Sequence, residues 1–460
     1  MKGESIVAAA TPQSQSSVGV VRVSGPICEA LARRICGGDL QPRVPSLRSF
    51  RSSNGDLIDQ GLVILFKGPA SFTGEDVLEF QGHGSPVAMS WLLEECLMCA
   101  SDETPLRLAR PGEFSERAFL NGKLDLTAAE AIADLISAGS RGAVRAAAQS
   151  MTGRFSSRIG EIQGLIIEAR ARLEACLDFP DEEGVAHLQE QDLLARLRWI
   201  DEQLRDCLAS AQRGVEALRG RQAVLVGKPN VGKSSLFNAL ADEDLAIVSE
   251  LAGTTRDRLA NQIRVAGHSL KVLDTAGLRL TDEPIEKIGV ARSQEAMEDA
   301  DLVIWVRDLT SSDASKFERS ALAALPRDVE IWVVWNKLDA FESVAPEDLP
   351  MESVDNSRAA RNFYLSAADG RGLAGFIEAL GAFLAGASSE GSVFSARQRH
   401  LVVLVEVLRL VESAVPLIGA SGELAADQLR LAQEKLGEIT GEFHSDDLLG
   451  VIFSSFCIGK

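Results

Sequence analysis

At roughly 100 to 200 residues per domain, 460 residues call for two to four domains. The hydrophobic share of 46% and charged share of 25% exclude a disordered or collagen-like chain. With 47 basic and 66 acidic side chains the net charge is −19, which excludes a coating nucleic-acid binder and leaves RNA contact to a local basic patch or a partner.

No apolar stretch has membrane-spanning length, and MKGESIVAAATP lacks the basic end, apolar core and cleavage site of a leader, so a cytoplasmic protein without membrane contact is expected. The cysteines at 28, 36, 96, 99, 176, 207 and 457 are odd in number and scattered, which predicts reduced thiols. Cys96 and Cys99 share one face of the helical stretch Trp91 to Ala100. No second pair or nearby His completes a tetrahedral set, so they read as buried or half-buried thiols.

In chain order, residues 1–120 carry short β-rich runs (VGVVRVSG, GLVILFKGP, DVLEFQGHG) and one helix-like run over 86–100, predicting an α+β domain. Residues 121–217 turn to Ala, Leu, Arg and Glu at helical spacing, interrupted at FPDEEG, which predicts antiparallel helices. Over 218–385 the strands AVLVG, LKVLD, LVIWV and IWVVW alternate with amphipathic helices, the pattern of a doubly wound α/β domain. After the linker-like GASSEGS, the segment 386–460 returns to helices. The expected fold is multidomain, α/β and α, with the α/β domain inserted into one helical domain built from both flanks.

The strongest motif is Gly227-Lys-Pro-Asn230-Val231-Gly232-Lys233-Ser234, between the strand AVLV and the helix SSLFNAL. It fits the phosphate-binding loop, in which backbone N–H groups wrap the β-phosphate, Lys233 neutralises β/γ oxygens, and the Ser234 hydroxyl binds Mg²⁺ with Ser235 following. Asp274-Thr275-Ala276-Gly277 ends the strand LKVL and suits a water-mediated metal contact and a γ-phosphate contact. Thr254 and Thr255 lie between these motifs, and the Thr255 hydroxyl completes the magnesium shell only when γ-phosphate is present. Asn336-Lys337-Leu338-Asp339 follows WVVW, its carboxylate facing two donors that guanine has and adenine lacks. Such a site discriminates by roughly 10⁴. Ser366-Ala367-Ala368 supplies a backbone N–H for the guanine oxygen. Together they specify a Ras-like GTPase. Leu278 stands where such enzymes place a water-orienting Gln, and Asp282, Glu283 and Glu286 follow nearby as candidate replacements.

The stretches FTGEDVLEFQGHG (72–84), ARPGEFSERAFLNGKLDLTAAEAIADLI (109–136) and GEITGEFHSDDLLGVIFSSFCIGK (437–460), with the GTPase motifs, resemble the MnmE (TrmE) family of tRNA-modifying GTPases over essentially the whole chain. The resemblance implies an N-terminal folate-binding and dimerisation domain, a constitutive homodimer, and modification of the tRNA wobble uridine at its 5-position (a carboxymethylaminomethyl or aminomethyl group). It further implies an MnmG partner carrying FAD and NADH in a two-plus-two assembly. The one-carbon donor is a tetrahydrofolate derivative, 5,10-methylene or 5-formyl, and the amine is glycine or ammonium. Carried over by motif, folate contacts fall on Arg22, Glu79, Lys123 and Lys460. Potassium ligands fall on Asn230, Ser249, Leu251 and Thr254, and the water-orienting carboxylate on Glu286. Cys457 is assigned to the modification site as a nucleophile, an acid or a structural group. The QSQSS turn after ATP and Pro284 depart from the family pattern. The arginines at 141, 145, 154, 158, 170 and 172 form either a basic face or an ordinary solvated helix surface. The alternative function is a regulatory GTPase switch in ribosome assembly, which needs neither the N-terminal domain nor the C-I-G-K tail.

Overall fold

Alternating apolar residues set the first layer. In the computed structural model β1 (Ser5–Ala9), β2 (Ser16–Ser24), α1 (Cys28–Cys36), β3 (Ser46–Arg51), β4 (Leu57–Phe66), β5 (Val77–Gly84), α2 (Pro86–Met98), β6 (Leu106–Leu108) and α3 (Glu113–Leu120) follow in that order. The strands form one sheet, β3-β4-β5-β2-β1-β6, antiparallel except where β6 runs parallel to β1. On one face Val21, Val23, Val63, Leu78 and Phe80 pack against Leu31 and Ile35 of α1 and Leu92 of α2. The other face carries Arg22, Glu79 and Gln81, because side chains alternate across a strand. The structure describes residues 3–12, 14–178, 185–242, 260–266, 268–274, 300–311, 322, 325, 329–341, 350, 361–385, 394–442, 452–454, 456 and 459.

Sequence periodicity named one helix in this region, and α1 and α3 are additional. The apolar face of α1 is Cys28, Leu31, Ala32 and Ile35, correctly spaced but confined to nine residues. In α3 the buried face includes Glu113 and Arg117, so no apolar stripe marks it.

The helical segments are α4 (Leu126–Ser137), α5 (Arg141–Met151), α6 (Arg154–Asp178) and α7 (Val185–Arg219). Next come β7 (Arg221–Val226), α8 (Lys233–Asp242), β8 (Ala260–Val265), β9 (His268–Asp274), β10 (Leu302–Asp308), β11 (Glu330–Asn336), β12 (Arg361–Tyr364) and α9 (Leu373–Ala385). Helices α10 (Gln398–Ala414) and α11 (Gly422–Thr440) complete the helical part. The second sheet is β12-β11-β10-β7-β9-β8, parallel except for the β8–β9 hairpin, so the doubly wound domain has an antiparallel edge strand. Apolar clusters cover both its faces, one holding Leu225, Ile304 and Trp332, the other Val224, Trp305 and Val333.

The chain divides into two compact units: Met1–Ile136, Ala147–Gln212 and Phe394–Lys460 form one, Ser137–Ala146 and Arg213–Val393 the other. Within the first, α11 packs against α6 and α10. The returning chain is fastened to α4 and α5. Ser150 Oγ donates to Ser395 O at 3.0 Å, Arg397 Nη2 to Asp134 Oδ1 at 2.9 Å, and Arg399 Nε and Nη2 reach the two oxygens of buried Glu130 at 2.8 Å each. Among the described residues no helix is long and apolar enough to cross a membrane, and the described cysteines are free thiols. Cys96 is buried and Cys99 half-buried, with no metal-holding cluster among the described residues.

Candidate functional site

Strand β7 ends at Val226 and the chain turns through Gly227–Gly232 into α8, which starts at Lys233. The turn requires missing side chains. Gly232 has φ +97, and a Cβ there would lie 2.1 Å from Asn336 Nδ2. Lys233 is buried, and its Nζ donates to Gly227 O at 2.6 Å and Lys228 O at 2.9 Å, which holds the ammonium inside the loop. Ser234 and Ser235 are exposed in the first turn of α8, at the positive end of the helix dipole. A backbone cradle, an internal cation and open hydroxyls fit a polyphosphate with its magnesium ion.

Asn336 joins this loop to a second one. Buried at the end of β11, it donates from Nδ2 to Val231 O at 2.9 Å and accepts at Oδ1 from the Ala367 N–H at 3.0 Å. Lys337, at φ 71, pairs through Nζ with Asp308 Oδ2 at 2.7 Å. Burial would raise the Asp308 carboxyl, but hydrogen bonds from Lys337 and Thr310 hold it below its ordinary value. Asp339 is exposed in the short turn Leu338–Ala340. Ser366 Oγ accepts from the N–H groups of Ala368 at 3.3 Å and Asp369 at 3.2 Å. The segments 230–235, 336–339 and 366–368 thus gather at the carboxyl ends of parallel β7, β11 and β12, where doubly wound sheets take ligands. Asp274 closes β9, in register with Leu225 of β7. Thr275, Ala276, Gly277, Leu278, Ser249, Leu251, Thr254, Thr255 and Glu286 lie outside the described residues. Asp308 escaped the sequence reading, since its role depends on a lysine 29 positions away.

A second cluster forms on the open face of the N-terminal sheet. Arg22 and Glu79 are register partners, with Nε 2.8 Å from Oε1, and Gln81 Nε2 donates to Glu79 Oε2 at 3.2 Å. The rings of Phe72 and Phe114 each lie 5.9 Å from the guanidinium carbon. Arg22 Nη1 also donates to Gly459 O at 3.3 Å, so the end of the chain reaches this face. Gly459 has φ +92, and a Cβ would sit 2.5 Å from Ala9 O. Ile452, Phe453 and Phe456 seat the tail against Leu126 and Ala129 of α4. Lys123 is exposed, its stem beside the Gly74 turn of the segment that carries Phe72. Cys457 and Lys460 lie outside the described residues, on either side of Gly459.

Behind Arg22, Ser24 Oγ and Arg117 Nη1 both donate to Glu75 Oε2, at 2.8 and 2.9 Å, and Arg117 and Arg107 both reach Glu113. Glu113 has a side chain 1% exposed. Burial alone would raise its carboxyl, yet the Arg107 guanidinium, the Arg110 N–H and Arg117 pull it down to about 2. A depressed carboxylate stabilises the fold above its unfolded pKa and ceases to do so as pH falls through the folded value. Unfolding titrations should therefore show on the order of 3 kcal/mol of stability lost from about pH 4.5 towards pH 2. Glu113→Gln should flatten that slope, and a mutant slope equal to wild type would remove the assignment.

At the end of β5, His83 Nδ1 lies 2.8 Å from Asp59 Oδ1, and the His83 backbone N–H donates to Asp59 Oδ2 at 2.7 Å. Sequence reasoning missed this pair, whose one visible sign is a histidine in phase with Glu79 and Gln81. Of the candidate basic residues, Arg158 pairs with Glu161, Arg170 with Glu174, and Arg172 with Glu168 and Asp192, which offsets their charge.

A family model described as "MnmE helical domain" matches residues 126–457, and one described as "GTP-binding protein TrmE N-terminus" matches residues 5–123. The chain is 45% identical over 463 residues to a protein of Pseudomonas fluorescens, covering 99% of each. It is 46% identical to one of an Azoarcus species, covering 99% of this chain and 98% of that one. Both relatives are named tRNA modification GTPase MnmE. The FeoB G domain of Methanococcus jannaschii is 27% identical, with a TM-score of 0.26, covering 37% of this chain and 98% of that chain.

Proposed function

The chain belongs to the MnmE (TrmE) family of tRNA modification GTPases, and we propose that it spends GTP to modify the wobble uridine of tRNA at its 5-position, together with a flavoprotein of the MnmG type. The observation that carries this reading is the Gly459 carbonyl on Arg22 beside Glu79, which brings the residue between Ile458 and Lys460 in sequence onto the N-terminal sheet. A guanidinium, a carboxylate and two aromatic rings suit a charged cofactor with a donor-rich bicyclic edge. Arg22, Glu79, Lys123 and Lys460 would hold a tetrahydrofolate derivative, which when bound supplies a one-carbon unit at the methylene or formyl level. The amine joined to it comes from glycine or ammonium. Exposed Leu47 and Leu62, register partners on neighbouring strands, favour a homodimer through the same sheet. The partner brings FAD and NADH in a two-plus-two assembly.

In the second unit, Lys233 and the loop N–H groups would bind phosphate, Ser234 and Thr255 would hold magnesium, and Asp339 with Ala367 would read guanine. Asn230 is exposed at φ 66 and, with Ser249, Leu251 and Thr254, would bind potassium. Glu286 would orient water where Leu278 cannot. The test is nucleoside mass spectrometry of tRNA from a deletion strain carrying this chain, beside GTP turnover in potassium and in sodium. Restored wobble modification and faster turnover in potassium are expected. GTP turnover without any restored nucleoside would leave a regulatory switch instead.

A further inference from the structure

Two aromatic rings approach the Arg22 guanidinium on different segments of the chain, and one carboxylate ties those segments together. Phe114, on α3, is fully buried and packs against Ile6 and Ala8 of β1, the register partners of Ser24 and Arg22. Phe72 is 36% exposed, so its ring is the one open to a ligand seated on Arg22. The next residue fixes the backbone of Phe72. Thr73 is buried, its Oγ1 lies 2.7 Å from Ser24 Oγ, and its carbonyl accepts from Asn121 Nδ2 at 2.7 Å. Ser24 gives its one proton to Glu75 Oε2, so the Thr73 hydroxyl is the donor of the first bond and the three groups form a directed chain.

Arg117 Nη1 reaches the same Glu75 oxygen at 2.9 Å. Arg117 stands three residues after Phe114 in α3, and residues three apart share a helix face. The Arg117–Glu75 pair therefore joins the segment that carries Phe114 to the segment that carries Phe72. Stability alone does not call for it. The Arg117 side chain is 5% exposed, and its Nε is buried with no hydrogen-bond partner. A buried guanidinium with an unpaired N–H is a poor source of stability, and the Ser71 hydroxyl, donating to Glu75 O, already links the ends of this segment without a charge. What the ion pair adds is placement, because a charge-assisted bond sets Glu75 at one distance from α3.

We propose that Glu75 and Arg117 are positioning residues, a clasp that holds the Phe72 ring beside Arg22 as one wall of the cofactor site, a role that rests on the folate-dependent reading above. A bicyclic ring laid against Phe72 gains stacking contact only while that ring keeps its place. Neither Glu75 nor Arg117 has to touch the ligand. Opening the clasp frees the segment 71–76, which lowers occupancy of the site and leaves the reaction unchanged once the site is filled.

The experiment uses the full chain, with 5-formyltetrahydrofolate as the calorimetric probe. Turnover is measured with the flavoprotein partner, labelled methylene-tetrahydrofolate, glycine and tRNA. Glu75→Gln keeps size and an acceptor oxygen but loses the charge that Arg117 pairs with. It should raise Kd for the probe and KM for the folate donor about tenfold, the scale of one lost stacking contact. Meanwhile kcat at saturating donor should stay within about twofold of wild type. A merely structural role would act the other way, lowering kcat through loss of folded protein while KM stays the same. Arg117→Lys keeps the charge without the planar fork and should fall between wild type and Glu75→Gln. Phe72→Ala should weaken the probe about as much as Glu75→Gln does. Adding Glu75→Gln to it should weaken binding by less than about twofold more, because the clasp acts through that ring. An unchanged Kd in Glu75→Gln or in Phe72→Ala, a fall in kcat alone, or fully additive effects in the double variant would each overturn the clasp while leaving the folate reading intact. Wild-type protein that neither binds the probe nor moves label into tRNA would overturn the folate reading itself, and the clasp with it.

Discussion

Gly459→Val should abolish wobble-uridine modification, lowering its rate by about 10²-fold or more, while GTP turnover stays within about twofold of wild type. Two independent costs act at this residue. A β-branched side chain at φ +92 is strained by roughly 1–2 kcal/mol. Its Cβ would also approach Ala9 O to 2.5 Å, and that oxygen belongs to strand backbone that cannot swing aside. The tail must therefore lift. Its carbonyl then leaves Arg22. Gly38→Val is the control, since a Cβ there meets nothing within 4 Å. Nucleoside analysis and a GTPase assay on the same preparations decide the matter. Normal modification by Gly459→Val would show that the tail contact has no part in the chemistry.

Asp339→Asn should weaken GTP binding by about 10²- to 10⁴-fold and turn preference towards xanthosine triphosphate. The carboxylate is exposed at the mouth of the loop, on a turn tied down by the Leu338 N–H donating to Leu365 O at 3.2 Å. Its geometry should survive the change, and only the hydrogen-bond polarity reverses. An amide meets the guanine donors with donors of its own, whereas xanthine presents a carbonyl there. Hydrogen-bonding sites of this kind set discrimination of that size. Calorimetric titration with both nucleotides measures it, and unchanged GTP affinity would remove Asp339 from base recognition.

What was legible in the chain follows the range of the interactions. The phosphate loop, Asn336–Asp339 and Ser366–Ala368 are short contiguous segments after apolar strands, so motif and strand together located them. Asn336 as the tie between two of these loops was invisible, because its partners Val231 and Ala367 are remote in sequence. The same holds for Arg22. It alternates with buried Val21 and Val23, but Gly459 lies 437 positions away and only the family resemblance joined Arg22 to the tail. Asp59 and His83 meet across neighbouring strands, and register is a property no local pattern states. Helix α3 escaped because ion pairs, rather than an apolar stripe, bury its inner face.

The fastening of Ser395, Arg397 and Arg399 onto α4 and α5 has an evolutionary consequence. These residues directly follow the long segment that leaves the first unit at Gln212 and rejoins it at Phe394. With the return point clamped, the first unit senses the intervening chain as a closed loop, whose entropy grows only by about 0.6 kcal/mol for each doubling of length. A G domain could thus have been acquired, enlarged or exchanged between these two points at small thermodynamic penalty. The clamp residues, not the length of the passenger, would set how freely such grafts were tolerated.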